Sequence, residues 1–354
     1  MIDTLAIDEA PAEASERSGA DIQLSVIVPA RNEADCITEC LISLAAQSDE
    51  GFVLGEDWEL IVVDDGSTDA TRELARGVGG ATVIAAAPPQ KGWTGKANAC
   101  WTGAKRARGT WLLFTDADTV HEPGDLRRAM HEAERTGAKL LSYSPRQIVS
   151  GFWQHALMPL IFSDLARTYP PAMVSNPQSA VAAANGQFLM IERGAYQRSG
   201  GHAAVAASLL EDVAIARNVK RAAAIRFRYA PDAVCTRMYR SFGAMVEGWT
   251  KNLALLFPSP LLLAFYRVLD LCLLIGLPVL AWKLAVVPQK IIVILWWLWR
   301  AGLYVTRVGK SNFPMRDCVL SIAALPLYAA LLCRSWMVHK ITKRVEWKGR
   351  SYSA

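Results

Sequence analysis

Strand-like and helix-like segments alternate through the first part of this 354-residue chain, and no other feature restricts its fold as much. Apolar runs rich in β-branched residues end in turn residues at 23–30, 58–65, 81–86, 110–118 and 139–146. Stretches with apolar residues at helical spacing separate them. Such alternation predicts a mostly parallel sheet covered by helices on both faces, with ligands bound at the carboxyl ends of the strands. We therefore predict an α/β fold with its site at that edge.

Acidic residues recur in four short motifs along this part of the chain. They are Glu33 in VPARNE, Asp64 and Asp65 in VVDDGSTD, Asp116 and Asp118 in TDAD, and Glu211 and Asp212 in LLEDVAIA. The first three motifs lie at strand ends of one parallel sheet, so they should converge on one crevice. Carboxylates gathered there repel one another unless a divalent cation or positive groups lie among them. Because such oxygen-rich sites suit Mg²⁺ or Mn²⁺ bound jointly with phosphates, the pattern indicates a nucleotide diphosphate and one of these ions.

Each motif also has a simpler structural explanation. An Asp-x-Asp pair can serve a turn, because Asp side chains accept hydrogen bonds from nearby amides. Ser67 or Asp69 can cap the helix expected to begin near Ala70. The GWTGK stretch at 92–96 lacks the spacing of a P-loop, although Lys96 beside flexible glycines can reach a phosphate. Only the combination of motifs points to catalysis.

The chain becomes strongly apolar after Phe257. Hydrophobic residues make up 52% of the whole, and the excess lies in segments at 261–282, 290–299 with its continuation, and 318–338. A bilayer core needs about 20 apolar residues, which the first and third segments approach, whereas the segment at 290–299 is expected to be short and is rich in Trp. We predict membrane attachment, with Arg267 and Asp270 near an interface or paired within a bundle. The stretch at 151–171 reads as a core helix or, alternatively, as an amphipathic helix in the lipid interface.

Charge indicates how the chain meets the membrane. Residues 1–22 lack a signal-peptide pattern and read as a disordered leader. The tail at 339–350 is strongly basic, which favours a membrane surface as partner, and no nucleic-acid partner is predicted. The positive-inside rule places this tail on the cytoplasmic side. If the α/β part is also cytoplasmic, the number of crossings is even, so one of the three segments should be re-entrant or interfacial.

Five motifs together resemble those of a known family. VIVPARNE, VVDDGSTD, TDAD, NGQF at 185–188 and LLEDVAIA, in this order and at these separations, resemble the family 2 glycosyltransferases of GT-A fold. KGWTGKANAC, GGHAAV, RMYRS, EGWTKNL and WKGRSY are similar to membrane-bound members of the chlorobactene-type, carotenoid or hopene-associated kind. The resemblance implies a GT-A catalytic domain at 23–257 in the cytoplasm. It also implies membrane-associated helices with a basic tail at 258–354, attached to the cell inner membrane.

The resemblance further implies an inverting transfer of a hexose from a nucleotide sugar to a hydroxyl of a lipid-like acceptor, such as a carotenoid or hopanoid. UDP-glucose is the expected donor. Asp212 would be the general base, and Asp116 and Asp118 would hold the metal. The expected substrate-binding residues are Pro29, Arg31, Glu33, Asp64, Asp65, Trp93, Lys96, Asp116, Asn185, Gln187, Glu211, Arg240, Trp249 and Lys251.

The chain departs from the family in one motif. Relatives often carry a Gln/Arg-x-x-Arg-Trp motif near the membrane, whereas VEGW supplies Trp249 without the arginine and RMYRS supplies arginines without the tryptophan. Which of them contacts the donor stays open at this point.

Other functions fit parts of the pattern. A sugar transferase acting on a sphingolipid-like or polyprenyl-phosphate acceptor would use the same site. A nucleotidyltransferase would also combine a metal with paired aspartates on an α/β sheet, but it would release pyrophosphate instead of a nucleoside diphosphate. An inactive sugar-nucleotide binding module would bind the donor without turnover.

Overall fold

A computed structural model of the chain describes residues 22–47, 49, 51–284, 286–347 and 350–353. The leader expected at 1–22 lies outside the described residues apart from Ile22. The α/β part contains β1 (Leu24–Ala30), α1 (Ile37–Ala45), β2 (Trp58–Asp64), α2 (Thr71–Gly77), β3 (Ala81–Ala85), α3 (Gly95–Arg106), β4 (Trp111–Phe114), β5 (Thr119–His121), α4 (Asp125–Thr136), β6 (Leu140–Ser144), β7 (Arg146–Gln147), α5 (Gly151–Thr168), α6 (Pro171–Ser175), β8 (Leu189–Glu192), α7 (Arg193–Arg198), α8 (Glu211–Lys220), β9 (Ile225–Tyr229), β10 (Val234–Thr236) and α9 (Phe242–Leu256). The remainder contains α10 (Pro260–Leu271), α11 (Leu277–Leu284), α12 (Val287–Val308), α13 (Met315–Leu320), α14 (Leu325–Met337), β11 (Arg344–Trp347) and β12 (Arg350–Ser353).

The central sheet has seven strands in the order β3-β2-β1-β4-β8-β6-β9. Only β8 runs antiparallel to its neighbours in this sheet, so the predicted mostly parallel α/β fold is confirmed. Apolar clusters cover both faces, which explains why strands such as LSVIVPA read as nearly continuous apolar runs. A second, smaller sheet joins β5, β10 and β7.

The strand register brings the acidic turns to one edge of the sheet. Ala30 at the end of β1 pairs with Asp64 at the end of β2, and Ile27 pairs with Phe114 at the end of β4. The residues that follow these strands therefore emerge side by side. The loops after β1, β2 and β4 form one rim, as the strand pattern predicts.

Three continuous helical segments follow the α/β part, and each is long and apolar enough to cross a membrane. They span Pro260–Lys283, Val287–Ser311 and Met315–Thr342, and an 18-residue stretch within each has a mean hydropathy of 2.0, 1.4 and 1.7, respectively. The expectation that the middle segment is short is wrong, because α12 continues through the less apolar RAGLYVTRV for a total of 22 residues. Apolar side chains cover most of the exposed surface of α10 and α12, as lipid contact requires.

Arg267 and Asp270 of the first helical segment are paired inside the bundle. The Arg267 guanidinium lies 3.2 Å from the Asp270 carboxylate, and both side chains are buried. Arg307 on α12 approaches the same Asp270 carboxylate at 2.6 Å. Since a charge inside a membrane is costly unless it is partnered, this arrangement agrees with pairing within a bundle, one of the two expected placements.

Helix α5 joins the α/β part to these helices. Its segment from Ala156 to Asp164 is buried, whereas Phe152 and Trp153 at its start are exposed. Its Ser163 hydroxyl donates to the carbonyl of Arg307, 3.0 Å away. One apolar cluster contains residues of α5, α9, α10, α12 and α14, so the α/β part and the helical segments share a core.

Candidate active site

An open cavity of about 550 Å³ lies at the carboxyl ends of β1, β2 and β4; we call it the acidic cavity. The structure brings together all but three of the expected site residues there: Pro29, Arg31, Glu33, Asp65, Lys96, Asp116, Asp118, Asn185, Gln187, Glu211, Asp212, Arg240 and Lys251. The residues come from both ends of the α/β part, which shows that the motifs form one site.

The two adjacent aspartates after β2 have different surroundings. Asp65 lines the acidic cavity, and its backbone carbonyl accepts a hydrogen bond of 2.7 Å from Arg31. Asp64 accepts from the Ser67 amide at 3.1 Å and from the Arg72 Nε at 3.0 Å. Although burial opposes it, these hydrogen bonds hold the pKa of Asp64 below its usual range. Asp64 therefore stabilises the loop, and its carboxylate lies outside the cavity where a nucleoside contact was expected.

Lys96 contributes positive charge to the acidic cavity. It lies in the first turn of α3, which begins at Gly95 because the Thr94 hydroxyl caps the helix by accepting from the Ala97 amide at 3.2 Å. Its ammonium group is 2.6 Å from the Asp116 carboxylate and 3.2 Å from Glu211. Burial opposes protonation, but these carboxylates hold the pKa of Lys96 well above its usual value.

Asp212 is fixed by two backbone amides. Gly186 of the NGQF motif donates to one carboxylate oxygen at 2.8 Å, and Val213 donates to the other at 2.7 Å. A side chain at position 186 would crowd the Lys96 ammonium, since a Cβ there would lie 3.0 Å from it. Burial and the charge of Glu211 raise the pKa of Asp212 to about 6. The Asp212 carboxylate is thus more basic than that of an ordinary Asp.

A smaller cavity of about 150 Å³ adjoins the first; we call it the apolar cavity. It shares Asn185, Leu210, Asp212, Met238 and Asn252 with the acidic cavity. The rest of its lining is mainly aromatic and aliphatic: Phe162, Leu165, Tyr169, Ala183, Ala184, Val213, Phe227, Tyr229, Trp249 and Leu256, with Ser144. Asp212 therefore stands where an acidic space meets an apolar one.

The two expected tryptophans lie away from the acidic cavity. Trp249 is buried, with its ring edge-to-face against Phe162 and Tyr239 at centroid distances of 6.3 and 5.9 Å, and it lines the apolar cavity. Trp93 packs near Trp101, 6.5 Å between ring centroids, and belongs to the lining of neither cavity described above. Of the residues in RMYRS and VEGW, where the chain differs from the family motif, Arg240 lines the acidic cavity and Trp249 lines the apolar cavity.

The structure adds lining residues that the motifs alone did not single out. Arg237, Glu247 and Asn252 line the acidic cavity. Glu247 and Lys251 are four residues apart on α9, so they share one helix face. That spacing in EGWTKNL could have predicted that Glu247 lies beside Lys251. Nothing in the sequence favoured Arg237 over the other arginine of RMYRS.

Comparison with known proteins agrees with this geometry. Residues 25–199 match the family described as glycosyl transferase family 2. The chain is 30% identical over 246 residues to the 4,4'-diaponeurosporenoate glycosyltransferase of Staphylococcus haemolyticus, an alignment covering 68% of this chain and 63% of that protein. It is 27% identical over 352 residues to the Staphylococcus aureus (strain USA300) protein of the same name, covering 93% of this chain and 88% of that one. The solved mannosyltransferase PcManGT from Pyrobaculum calidifontis, in complex with GDP-Man and Mn²⁺, has a TM-score of 0.54 at 17% identity, covering 91% of this chain and 88% of that one.

A mostly parallel sheet with paired carboxylates around one cavity at its strand ends, followed by apolar helices, defines a GT-A enzyme with a membrane-associated region. Residues 25–199 form a glycosyl transferase family 2 domain, and the protein is a glycosyltransferase.

Proposed function

We propose that the enzyme transfers a hexose, with inversion, from a nucleoside diphosphate sugar to a hydroxyl of a membrane lipid. The observation that supports this most strongly is the position of Asp212 between the acidic and the apolar cavities. A charged donor fits the first, a hydrocarbon chain fits the second, and a basic carboxylate stands at their junction.

The acidic cavity suits the donor diphosphate with a divalent cation. Asp116 and Asp118 would hold Mg²⁺ or Mn²⁺, which prefer oxygen ligands and commonly share them with phosphates. No group of three or more His, Cys, Asp or Glu side chains able to hold a metal occurs among the residues described, so donor oxygens would complete the coordination. When bound, the cation would offset charge on the departing diphosphate. The Mn²⁺ and GDP-Man of the solved mannosyltransferase support this assignment.

The protein's own residues would carry out the proton transfer and orient the groups. The acceptor oxygen attacks the anomeric carbon while the bond from that carbon to the diphosphate oxygen breaks, and the diphosphate departs with the bonding electrons. Asp212 takes the hydroxyl proton, and Lys96 contributes positive charge beside Asp116. A single displacement of this kind inverts the anomeric centre.

The apolar cavity favours an uncharged acceptor group. The related staphylococcal enzymes are named for diaponeurosporenoate, a carotenoid acid, which supports a carotenoid-like acceptor. A carboxylate or phosphate on the acceptor would have to sit beside Asp212, and the described residues that line the apolar cavity include no Lys or Arg. We therefore favour a hydroxyl over the acid of the relatives and over a polyprenyl phosphate. A sphingolipid-like alcohol is the next candidate, because it too is neutral.

We propose that the α/β domain and the tail lie on the cytoplasmic side of the inner membrane. The domain precedes all three apolar segments, the tail follows them, and Arg350 of the tail contacts Asp65 of the domain. Both therefore lie on one side, which requires an even number of crossings. We assign the crossings to α10–α11 and to α12. The third segment packs on α9, where the Ser335 hydroxyl accepts from the Ala254 amide at 2.8 Å.

The decisive experiment uses the detergent-solubilised full-length enzyme. It is incubated with UDP- and GDP-hexoses, Mn²⁺ and a panel of carotenoid, hopanoid and sphingoid alcohols, and the lipid product is identified by mass and anomeric configuration. Release of free nucleoside diphosphate with an inverted glycolipid is expected. Pyrophosphate release would point to nucleotidyl transfer, and donor binding without turnover would point to a binding module.

A further inference from the structure

The closing WKGRSY motif returns to the acidic cavity from the far end of the chain. Arg350 begins strand β12 of a hairpin that follows the last apolar segment. One end of its guanidinium, Nη1, contacts Asp65 Oδ2, and Nη2 lies 3.1 Å from Oδ1. This two-pronged pairing links residues that are 285 positions apart. A planar guanidinium that grips both oxygens of a carboxylate holds it in one orientation.

Gly95 makes room for this pairing. A Cβ at position 95 would overlap both the Arg350 guanidinium and the Asp65 carboxylate. The backbone of Gly95 is helical, so no unusual dihedral angle calls for glycine there. The close approach of these two side chains is thus the feature of the described structure that calls for glycine at position 95.

The pairing of Arg350 with Asp65 reduces the repulsion that the acidic cavity would exert on an anionic ligand. Acidic side chains outnumber basic ones among its lining residues. A buried carboxylate without a counter-charge would repel a nucleoside diphosphate, whereas one neutralised by arginine would not. The Asp65 side chain is only 7% exposed, so solvent would screen its charge poorly.

The pairing leaves Asp65 able to bind a ligand. An ionised carboxylate offers about four lone-pair sites, of which a two-pronged arginine occupies two. Asp65 is among the residues lining the acidic cavity, so a ligand bound there can reach its carboxylate. A ribose hydroxyl or a base N–H can use the remaining sites.

We propose that Arg350 is a positioning residue for the nucleotide, which it serves by orienting and neutralising Asp65, and that the C-terminal hairpin is therefore part of the donor site. The proposal rests on the proposed function, because it takes the acidic cavity to bind a nucleoside diphosphate. It makes donor binding depend on a segment that follows the last apolar helix.

The test is nucleotide affinity, measured by titration calorimetry of UDP and GDP with Mn²⁺ into the solubilised full-length protein. Arg350→Ala should weaken the better-bound nucleotide on the order of tenfold, within the range for directly coupled charged groups. Arg350→Lys should recover part of the loss, since it keeps the charge and loses the second prong. Gly95→Ala should also weaken binding, because its methyl group displaces the pair.

Matched controls separate positioning from damage to the fold. Arg344→Ala changes an exposed arginine of the same hairpin, and Gly77→Ala adds a methyl group where no atom lies within 4 Å. Both should bind nucleotide like the parent, and thermal unfolding should confirm that all variants are folded. Combining Asp65→Asn with Arg350→Ala should cost little more than Asp65→Asn alone, since both act through one carboxylate.

Two results would overturn the proposal. If folded Arg350→Ala binds nucleotide within twofold of the parent, the pairing only fastens the C-terminal hairpin to the α/β domain. If it binds nucleotide more tightly, Arg350 obstructs the site instead of supporting it. The proposed function is judged separately by sugar transfer. A parent that binds nucleotide but glycosylates no lipid would refute that function while the comparison of affinities still stands.

Discussion

Replacing Asp212 by Asn tests whether the carboxylate at the junction of the two cavities is needed for the reaction rate or only for the stability of the fold. The carboxylate accepts amide hydrogens from Gly186 at 2.8 Å and Val213 at 2.7 Å. An asparagine has one oxygen, so it can satisfy one of these donors, and its own NH₂ group would face the other. An unsatisfied buried donor costs about 1–3 kcal/mol of folding stability.

Asp212→Asn should raise the activation barrier of the reaction by more than it lowers the stability of the fold. Removal of a general base typically lowers the rate by about 10² to 10⁴, which corresponds to about 2.7–5.5 kcal/mol in the activation barrier. Nucleotide affinity should stay within a few-fold of the parent or increase, because a negative charge near the diphosphate disappears. Turnover at saturating donor and nucleotide affinity should therefore be measured on the same folded preparation.

The pH dependence of the parent gives an independent check. Because burial and Glu211 raise the pKa of Asp212 to about 6, its carboxylate should gain a proton as the pH falls through that value. The rate should fall about tenfold per pH unit below pH 6. The residual rate of Asp212→Asn should lack this acid limb.

Glu211→Gln is the matched control. Glu211 pairs with Lys96 at 3.2 Å and is not held by the Gly186 amide, so its loss should lower the rate less than Asp212→Asn does. The reverse order would assign the base to Glu211. A near-normal rate for folded Asp212→Asn would remove Asp212 from the mechanism and refute the reasoning from the junction of the cavities.

Three further predictions concern the metal, the acceptor and the membrane. Excess EDTA should abolish transfer and Mn²⁺ or Mg²⁺ should restore it, except in Asp118→Ala; full activity in EDTA would exclude the metal assignment. Trp249→Phe should raise KM for the lipid acceptor several-fold and leave nucleotide affinity unchanged, because Trp249 lines only the apolar cavity; an altered nucleotide affinity alone would contradict this. The topology can be tested with single cysteines introduced at Val286 or Asn312, after the exposed Cys272 has been replaced by Ser. An impermeant maleimide added outside intact spheroplasts should label the cysteine at 286 and not the one at 312. The opposite pattern would contradict crossings by α10–α11 and α12.

Local patterns in the chain determine the elements and the position of the site. Strands such as Trp58–Asp64 are marked by apolar runs and the turns that follow them. Since the carboxyl ends of adjacent parallel strands meet at one edge, the strand pattern alone places residues as distant as Glu33 and Asp116 together. The basic tail also indicated an even number of crossings.

Tertiary structure decided where the members of a motif lie and which groups they contact. Asp64 and Asp65 are adjacent and chemically identical, and only their surroundings direct one to Arg72 and the other to the acidic cavity. Trp249 lines an apolar space that is formed jointly by helices distant in sequence. Arg350 meets Asp65 across 285 residues, a contact with no local signature. Patterns of neighbouring residues encode elements and their order, whereas the partner of a charge depends on how those elements pack.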